Sequence, residues 1–255
     1  VVVTNASEDH FNMDETVDLL EKFARSARSG VVSALESPGV FRALDPELHA
    51  MGCDFEWRGQ KFHIRLPGLH NVWNAVLAAS ICSMLGFDLR PISEALASFR
   101  GIKRRLEYIG QARGCAVVDD YAHNPAKIRA SWEAVSIHYS RVIAVWRPHG
   151  FGPLKHMMDG LTSVFSELTG ESDLVYVLPV YDAGGTADRS VKASELVDRL
   201  KDLNVAATRV EDQGSLPLLV AEEARPNDVV LVMGARDPGL PLLARDILAQ
   251  ITRKA

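Results

Sequence analysis

Within Asp119-Asp120-Tyr121-Ala122-His123 the sequence sets two carboxylates, a phenol and an imidazole immediately ahead of Asn124-Pro125. Such groups exchange protons, accept hydroxyls and orient charged substrates. Lys103-Arg104-Arg105 places three cations in a row. Guanidinium pairs suit phosphate oxygens, and a solvated surface is the alternative. Asn71 and Asn74, three apart in an apolar stretch, share one face of a helix. There their amides either cap the helix or hydrogen-bond a flat heterocycle. Thr4-Asn5-Ala6-Ser7-Glu8-Asp9-His10 brings carboxylates and an imidazole into a short polar loop, suited to a metal or a phosphate-bound Mg²⁺, or to an ordinary helix cap.

Elements must position these groups. A β-branched strand at residues 1–3 precedes a helix over 14–27, whose Val17, Leu20, Phe23 and Ala24 recur at helical spacing. Short strands are expected over 30–35, 55–57 and 61–66, separated by Ser37-Pro38-Gly39 and Arg58-Gly59-Gln60. Leu66-Pro67-Gly68 breaks the pattern, which predicts a domain boundary between 1–66 and 67–255. A helix over 71–85 then ends at Gly86, and a second from Pro91 carries Ile92, Ala95, Leu96 and Phe99 on one face before Gly101. From Ala116 onward strands over 116–118, 141–146, 174–178, 205–210 and 228–233 alternate with helices over 125–138, 154–168, 193–200, 216–224 and 241–251. This βαβ rhythm predicts an α/β, Rossmann-like domain with a mostly parallel sheet and ligands at the carboxyl ends of its strands. The Asp119 to Pro125 motif follows one such strand, and the loops Arg147 to Pro153, Tyr181 to Thr186 and Met233 to Asp237 follow others. Their shared edge favours one ligand crevice. His49, His63, His138 and His156 lack comparable company and read as structural, and Trp57, Trp132 and Trp146 as core or interface residues.

Composition bounds the remaining possibilities. The 255 residues are 47% hydrophobic and 24% charged, which excludes disorder and suits one large domain or two unequal ones. A net charge of -5 argues against a general nucleic-acid binder. Cys53, Cys82 and Cys115 are odd in number and form no C-x-x-C pair, so neither a disulfide framework nor a structural zinc is expected, and a reducing cytoplasm fits. The longest apolar run, residues 75–85, is too short for a bilayer, and the opening Val1-Val2-Val3 has no secretory character; it reads like the middle of something larger.

In order, G-L-H-N-V-W-N-A, F-R-G-I-K-R-R-L-E, V-V-D-D-Y-A-H-N-P and D-V-V-L-V-M-G-A resemble the Mur ligases, in order and spacing over essentially the whole chain. The resemblance implies the end of a central ATP-binding domain followed by the whole C-terminal Rossmann-like domain. It implies an ATP- and Mg²⁺-dependent ligase of peptidoglycan synthesis or recycling that joins L-alanine or a muropeptide to UDP-N-acetylmuramate through an acyl phosphate. By the same resemblance His10 binds Mg²⁺, Asn74 with Asn71 nearby contacts adenine, and Arg105 or Arg104 faces the phosphates. Asp120 takes the ribose hydroxyls, Tyr121, His123 and His149 line the substrate side, and Arg105 and His123 are the catalytic groups. Two departures stand out. No G-x-x-x-x-G-K followed by Ser or Thr occurs, and Pro148-His149-Gly150-Phe151-Gly152-Pro153 stands where the alanine-adding members show P-H-R-Y-x-R. Arg147 is the candidate replacement for those arginines. A non-catalytic nucleotide-binding module and a folylpolyglutamate or cyanophycin-type ligase are the alternatives; the pairing of K-R-R-L-E with D-D-Y-A-H-N-P favours the muramate branch.

Overall fold

The computed structural model describes residues 1–4, 13–28, 30–33, 44–182, 184 and 188–254. The chain divides into two compact units, Val1–Gly101 and Ile102–Ala255.

In the first unit β1 (Val2–Val3) pairs in parallel with β2 (Val32–Ser33), with α1 (Met13–Arg25) between them in sequence. Asp14 and Glu15 in the first turn of α1 and Lys22 and Arg25 in its last complement the helix dipole. A separate antiparallel sheet joins β3 (Glu47–His49), β4 (Gly52–Trp57) and β5 (Gln60–Ile64). Arg58 and Gly59, both at positive φ, close the β4–β5 hairpin in the two-residue manner that matches strand twist, and Phe55 stacks on Phe62 at 5.2 Å. Helices α2 (Leu69–Met84) and α3 (Leu89–Ser98) complete the unit. Gly86, at φ +90°, ends α2 as its sequence position predicts, letting the Phe87 N–H reach back to the Cys82 carbonyl.

Val72, Val76 and Ile92 share one core with Cys53, Phe55 and Ile64. The helical hairpin therefore belongs to the same compact unit as the sheet before it. The division at Gly101 lies well past the Leu66–Pro67 break expected from the sequence, because that break is a turn from sheet to helix over a continuous core.

The second unit is built on six strands in the order β10-β9-β8-β11-β7-β6. These are β6 (Glu107–Ala112), β7 (Cys115–Asp120), β8 (Arg141–Arg147), β9 (Leu174–Val177), β10 (Ala207–Arg209) and β11 (Asp228–Gly234). All neighbours run parallel except β6, which lies antiparallel at the edge against β7. Strands β7, β8 and β11 are wholly or almost wholly buried, as a sheet covered on both faces requires. Alternate residues feed two cores. Helices α4 (Pro125–Ser136), α5 (Phe151–Leu168) and α6 (Ala193–Asp202) meet Val118, Ala144 and Leu231 on one face. Helices α7 (Leu216–Glu223) and α8 (Leu240–Arg253) meet Val117, Val145 and Val232 on the other. The connection after β8 thus leaves to one face and that after β11 to the opposite face, which makes the carboxyl end of β11 a topological switch point. No helix among the described residues is long and apolar enough to cross a membrane.

Candidate functional site

Strand β7 delivers Asp119 and Asp120 to opposite faces by the two-residue period of a strand. Asp120 is buried and points into its own chain. It accepts the Leu106 N–H at 2.7 Å, the Ala122 N–H at 2.7 Å and the Ser131 hydroxyl at 3.0 Å. Expected against a ribose, this carboxylate instead ties the basic loop, the loop after β7 and α4 together. Burial pushes its pKa up, against the pull of those donors.

Asp119 has no exposed surface, and none of its neighbours donates a well-formed hydrogen bond to it. Its Oδ2 lies 3.4 Å from Nε of Arg104. Burial pushes its pKa up to about 6 despite that cation, with Glu107 and Asp120 adding to the rise.

The guanidinium groups of Arg104 and Arg105 both lie by the Tyr121 ring, at 5.0 and 5.4 Å from its centre, but their hydrogen bonding differs. Arg104, at φ +59°, turns its guanidinium inward and donates to the carbonyls of Gly234 at 2.6 Å and Asp237 at 3.3 Å. It braces the loop after β11. Arg105 is exposed, with its guanidinium 5.4 Å from the centre of the Tyr121 ring. Sequence reasoning could not choose between them; the positive φ of Arg104 decides.

Beyond β7 a run of rings follows. Tyr121 meets His123 edge-on at 5.6 Å, and His123 meets His149, from the loop after β8, at 4.7 Å. The Tyr121 hydroxyl accepts the Arg236 N–H at 3.2 Å. His123 Nδ1 lies 2.8 Å from the Tyr121 carbonyl, which can only accept, so the proton is assigned to Nδ1. Nε2 then presents its lone pair to the Lys127 ammonium at 3.3 Å. Lys127 was missed in the sequence, although its i,i+4 spacing from His123 across the first turn of α4 was the available signal. Asn124 caps α4 by accepting the Lys127 N–H at 3.0 Å, with Pro125 in the first turn.

Arg147 ends β8 but is held. Its Nη1 donates to Asp237 Oδ2 at 2.7 Å and to Gln213 Oε1, and Asp237 also accepts the Gly239 N–H at 2.8 Å. The structure therefore gathers Arg105, Tyr121, His123 and His149 at one rim, with Arg104, Asp120 and Arg147 as the ties beneath it.

Asn71 and Asn74 lie in the first unit. Asn71 Nδ2 donates to the Pro67 carbonyl at 2.8 Å and Asn74 Nδ2 approaches Asn71 Oδ1 at 3.4 Å. Both border a cavity of about 140 Å³ walled by Ile64, Leu66, Ala75 and Phe99. Apolar walls with two amides at the edge suit a flat heterocyclic base. His10 lies outside the described residues, and among those described no three His, Cys, Asp or Glu side chains form a group able to hold a metal ion. Burial pushes the thiol of Cys53 up to about 11 and that of Cys115 to about 12, so neither is a nucleophile.

A doubly wound α/β unit with its polar groups gathered at a switch point places this domain in the Rossmann-like class. The family described as Mur ligase, glutamate ligase domain, matches residues 104–236, just over half of the chain, and the chain belongs to that family. Among curated proteins it is 36% identical over 172 residues to the UDP-N-acetylmuramate–L-alanine ligase of Rhizobium meliloti, covering 67% of this chain and 36% of that one. The chain thus spans little more than a third of the length of such relatives. Among solved structures, the UDP-N-acetylmuramate-alanine ligase of Thermotoga maritima superposes with a TM-score of 0.72 at 24% identity, covering 100% of this chain and 60% of that one. The MurF ligase of Thermotoga maritima, solved in complex with ADP, does so at 0.68 and 16% identity, covering 96% and 59%. These likenesses show a shared fold.

Proposed function

We propose that this chain forms the base-binding and amine-handling part of an ATP-dependent amide ligase of peptidoglycan synthesis or recycling, working in the cytoplasm. In this reading the first unit, Val1–Gly101, closes a central ATP-binding domain. The carboxylate of UDP-N-acetylmuramate attacks the γ-phosphate of ATP to give an acyl phosphate and ADP. An amine, L-alanine or a muropeptide, then adds to the acyl carbon and phosphate leaves. The observation that carries the reading is the convergence of Arg105, Tyr121, His123 and His149 on the switch-point rim.

Each residue has a part. Asn71 and Asn74 hold the adenine edge against the apolar walls of their cavity. Arg105, exposed and oriented by the Tyr121 ring, offers its guanidinium to phosphoryl oxygens as charge builds there. His123, fixed by the Tyr121 carbonyl and with Lys127 at its Nε2, takes the proton that the attacking amine sheds. The described residues do not compose a Mg²⁺ site, and no step is assigned to the metal. With no glycine-rich lysine loop in this sequence, the hold on the β- and γ-phosphates is assigned to residues outside it.

The test is phosphate release by the ligase that contains this chain, with ATP, UDP-N-acetylmuramate and a panel of amines. Release should require all three, Asn74→Ala should raise the KM for ATP by about 1–3 kcal/mol, and His123→Ala should lower kcat. The 255-residue chain alone should turn over no ATP above background. Phosphate release that ignores both the muramate and every amine would rule the reading out.

A further inference from the structure

Asp119 and Asp120 are neighbours on β7, yet only one of them has its hydrogen bonds made. Asp120 accepts from Leu106, Ala122 and Ser131, whereas neither carboxylate oxygen of the fully buried Asp119 receives a hydrogen bond from any described residue. Buried polar atoms are nearly always paired, and an unpaired carboxylate is among the least favourable groups to bury. The fold keeps one at the carboxyl end of a central strand, where ligand crevices form.

The cation beside Asp119 is Arg104, whose Nε stands 3.4 Å from Oδ2 and is itself buried without a hydrogen bond. The other nitrogens of that guanidinium reach the Gly234 and Asp237 carbonyls, and the group lies 5.0 Å from the centre of the Tyr121 ring. The Arg104 carbonyl accepts the Tyr121 N–H at 2.8 Å, and the Tyr121 hydroxyl accepts the Arg236 N–H from the loop after β11. One guanidinium therefore joins Asp119, the Tyr121 ring and the β11 loop. Two carboxyl groups add their charge around Asp119: Glu107, its partner in register on β6, and Asp120 beside it on β7. Glu107 also accepts the Arg104 N–H at 2.8 Å. Strand β11 sets Val232 opposite Asp119, and α8 meets that face with Leu240, Leu243 and Ala244. Beyond them the Asp237 carboxylate is taken by Arg147 and the Gly239 N–H.

We propose that Asp119 is a positioning residue that acts through Arg104: its ionised carboxylate orients the guanidinium, which in turn holds the Tyr121 ring and the loop after β11 in their places at the rim. This rests on the ligase reading above, in which the Tyr121 ring orients Arg105 toward the phosphoryl oxygens. Protonation of Asp119 removes the negative charge that faces Nε and leaves Arg104 to neutral carbonyls. Burial pushes the Asp119 pKa up to about 6, so the brace is complete above that pH and is lost as pH falls through it.

The experiment measures kcat/KM for ATP from about pH 5.5 to about pH 8.5 with the ligase that contains this chain, in wild type, Asp119→Asn, Arg104→Gln and the double variant. UDP-N-acetylmuramate is the acceptor, and the amine is L-alanine or a murein tripeptide, whichever the wild type uses. The ratio of wild type to Asp119→Asn should be near one at the acid end and rise to about fivefold or more at the alkaline end, with its midpoint at about 6. The rim histidines are present in both proteins and cancel from the ratio. In the Arg104→Gln background, Asp119→Asn should change kcat/KM by less than about twofold, because the group it acts through is gone. The urea midpoint of Asp119→Asn at alkaline pH should equal or exceed that of wild type, which separates lost positioning from lost folding. A ratio that does not vary with pH, or an effect of Asp119→Asn that persists undiminished without Arg104, overturns the inference and leaves the ligase reading intact. Should Arg104→Gln fail to fold, the pH ratio alone decides. A wild type that joins no amine at all overturns both.

Discussion

Two neighbouring carboxylates on β7 divide their work by the parity of the strand. Asp120 faces α4 and is saturated by Leu106, Ala122 and Ser131, so its removal leaves two buried N–H groups without an acceptor. Asp120→Ala is expected to destabilise the fold by on the order of 3 kcal/mol, read as a lower urea midpoint. Asp119 behaves in the opposite sense. Its folded pKa of about 6 exceeds the ordinary 3.8, so its contribution is complete at acid pH and is lost as pH rises from about 4 through 6. Wild type should lose up to about 3 kcal/mol across that window relative to Asp119→Asn, a difference measured by urea unfolding at several pH values. If the two proteins show parallel pH profiles, Asp119 is not the buried proton-binding group. Both aspartates were visible in the sequence as chemistry-bearing residues; their division into a tie and a desolvated acid was not, because it depends on which face each meets.

Among elements, β11 carries the closest approach at the site. Gly234 ends it at φ +153°, and a β-carbon there meets Leu240 and the Arg147 carbonyl. Gly234→Ala should cost about 2–3 kcal/mol through overpacking, seen as a lower urea midpoint at unchanged slope. At the start of α4, Asn124→Ala removes the acceptor for the Lys127 N–H and should cost about 1 kcal/mol in the same assay. The central strands were legible because burial on both faces leaves near-continuous apolar runs such as Val229 to Met233. Strand β6 was not. It is an edge strand with a register irregularity between Tyr108 and Gly110, and its Glu107, Gly110 and Gln111 carry neither alternation nor an apolar run.

At the scale of the molecule, each hydrophobic core draws on one unit only. The two cores of the larger unit use residues from Leu106 to Ile251, and that of the smaller runs from Cys53 to Ile92. Residues 102–255 alone should therefore unfold in one cooperative transition, with near-ultraviolet signals from the buried Trp132 and Trp146. A broad, featureless transition would show that the unit borrows stability from elsewhere. The rhythm of strands and helices, the parallel sheet and the edge at which Asp119 to Pro125 must lie were all decided by the sequence. Periodicity and turn residues act over short spans and survive without knowledge of the fold. Which of two adjacent arginines turns inward, that Asp120 binds its own backbone, that Arg147 is held by Asp237, and that the helical hairpin shares a core with the preceding sheet were decided by tertiary structure alone. Each of these joins groups distant in sequence, and a hydrogen bond between Arg104 and Gly234 exists only once the sheet has brought β6, β7 and β11 together.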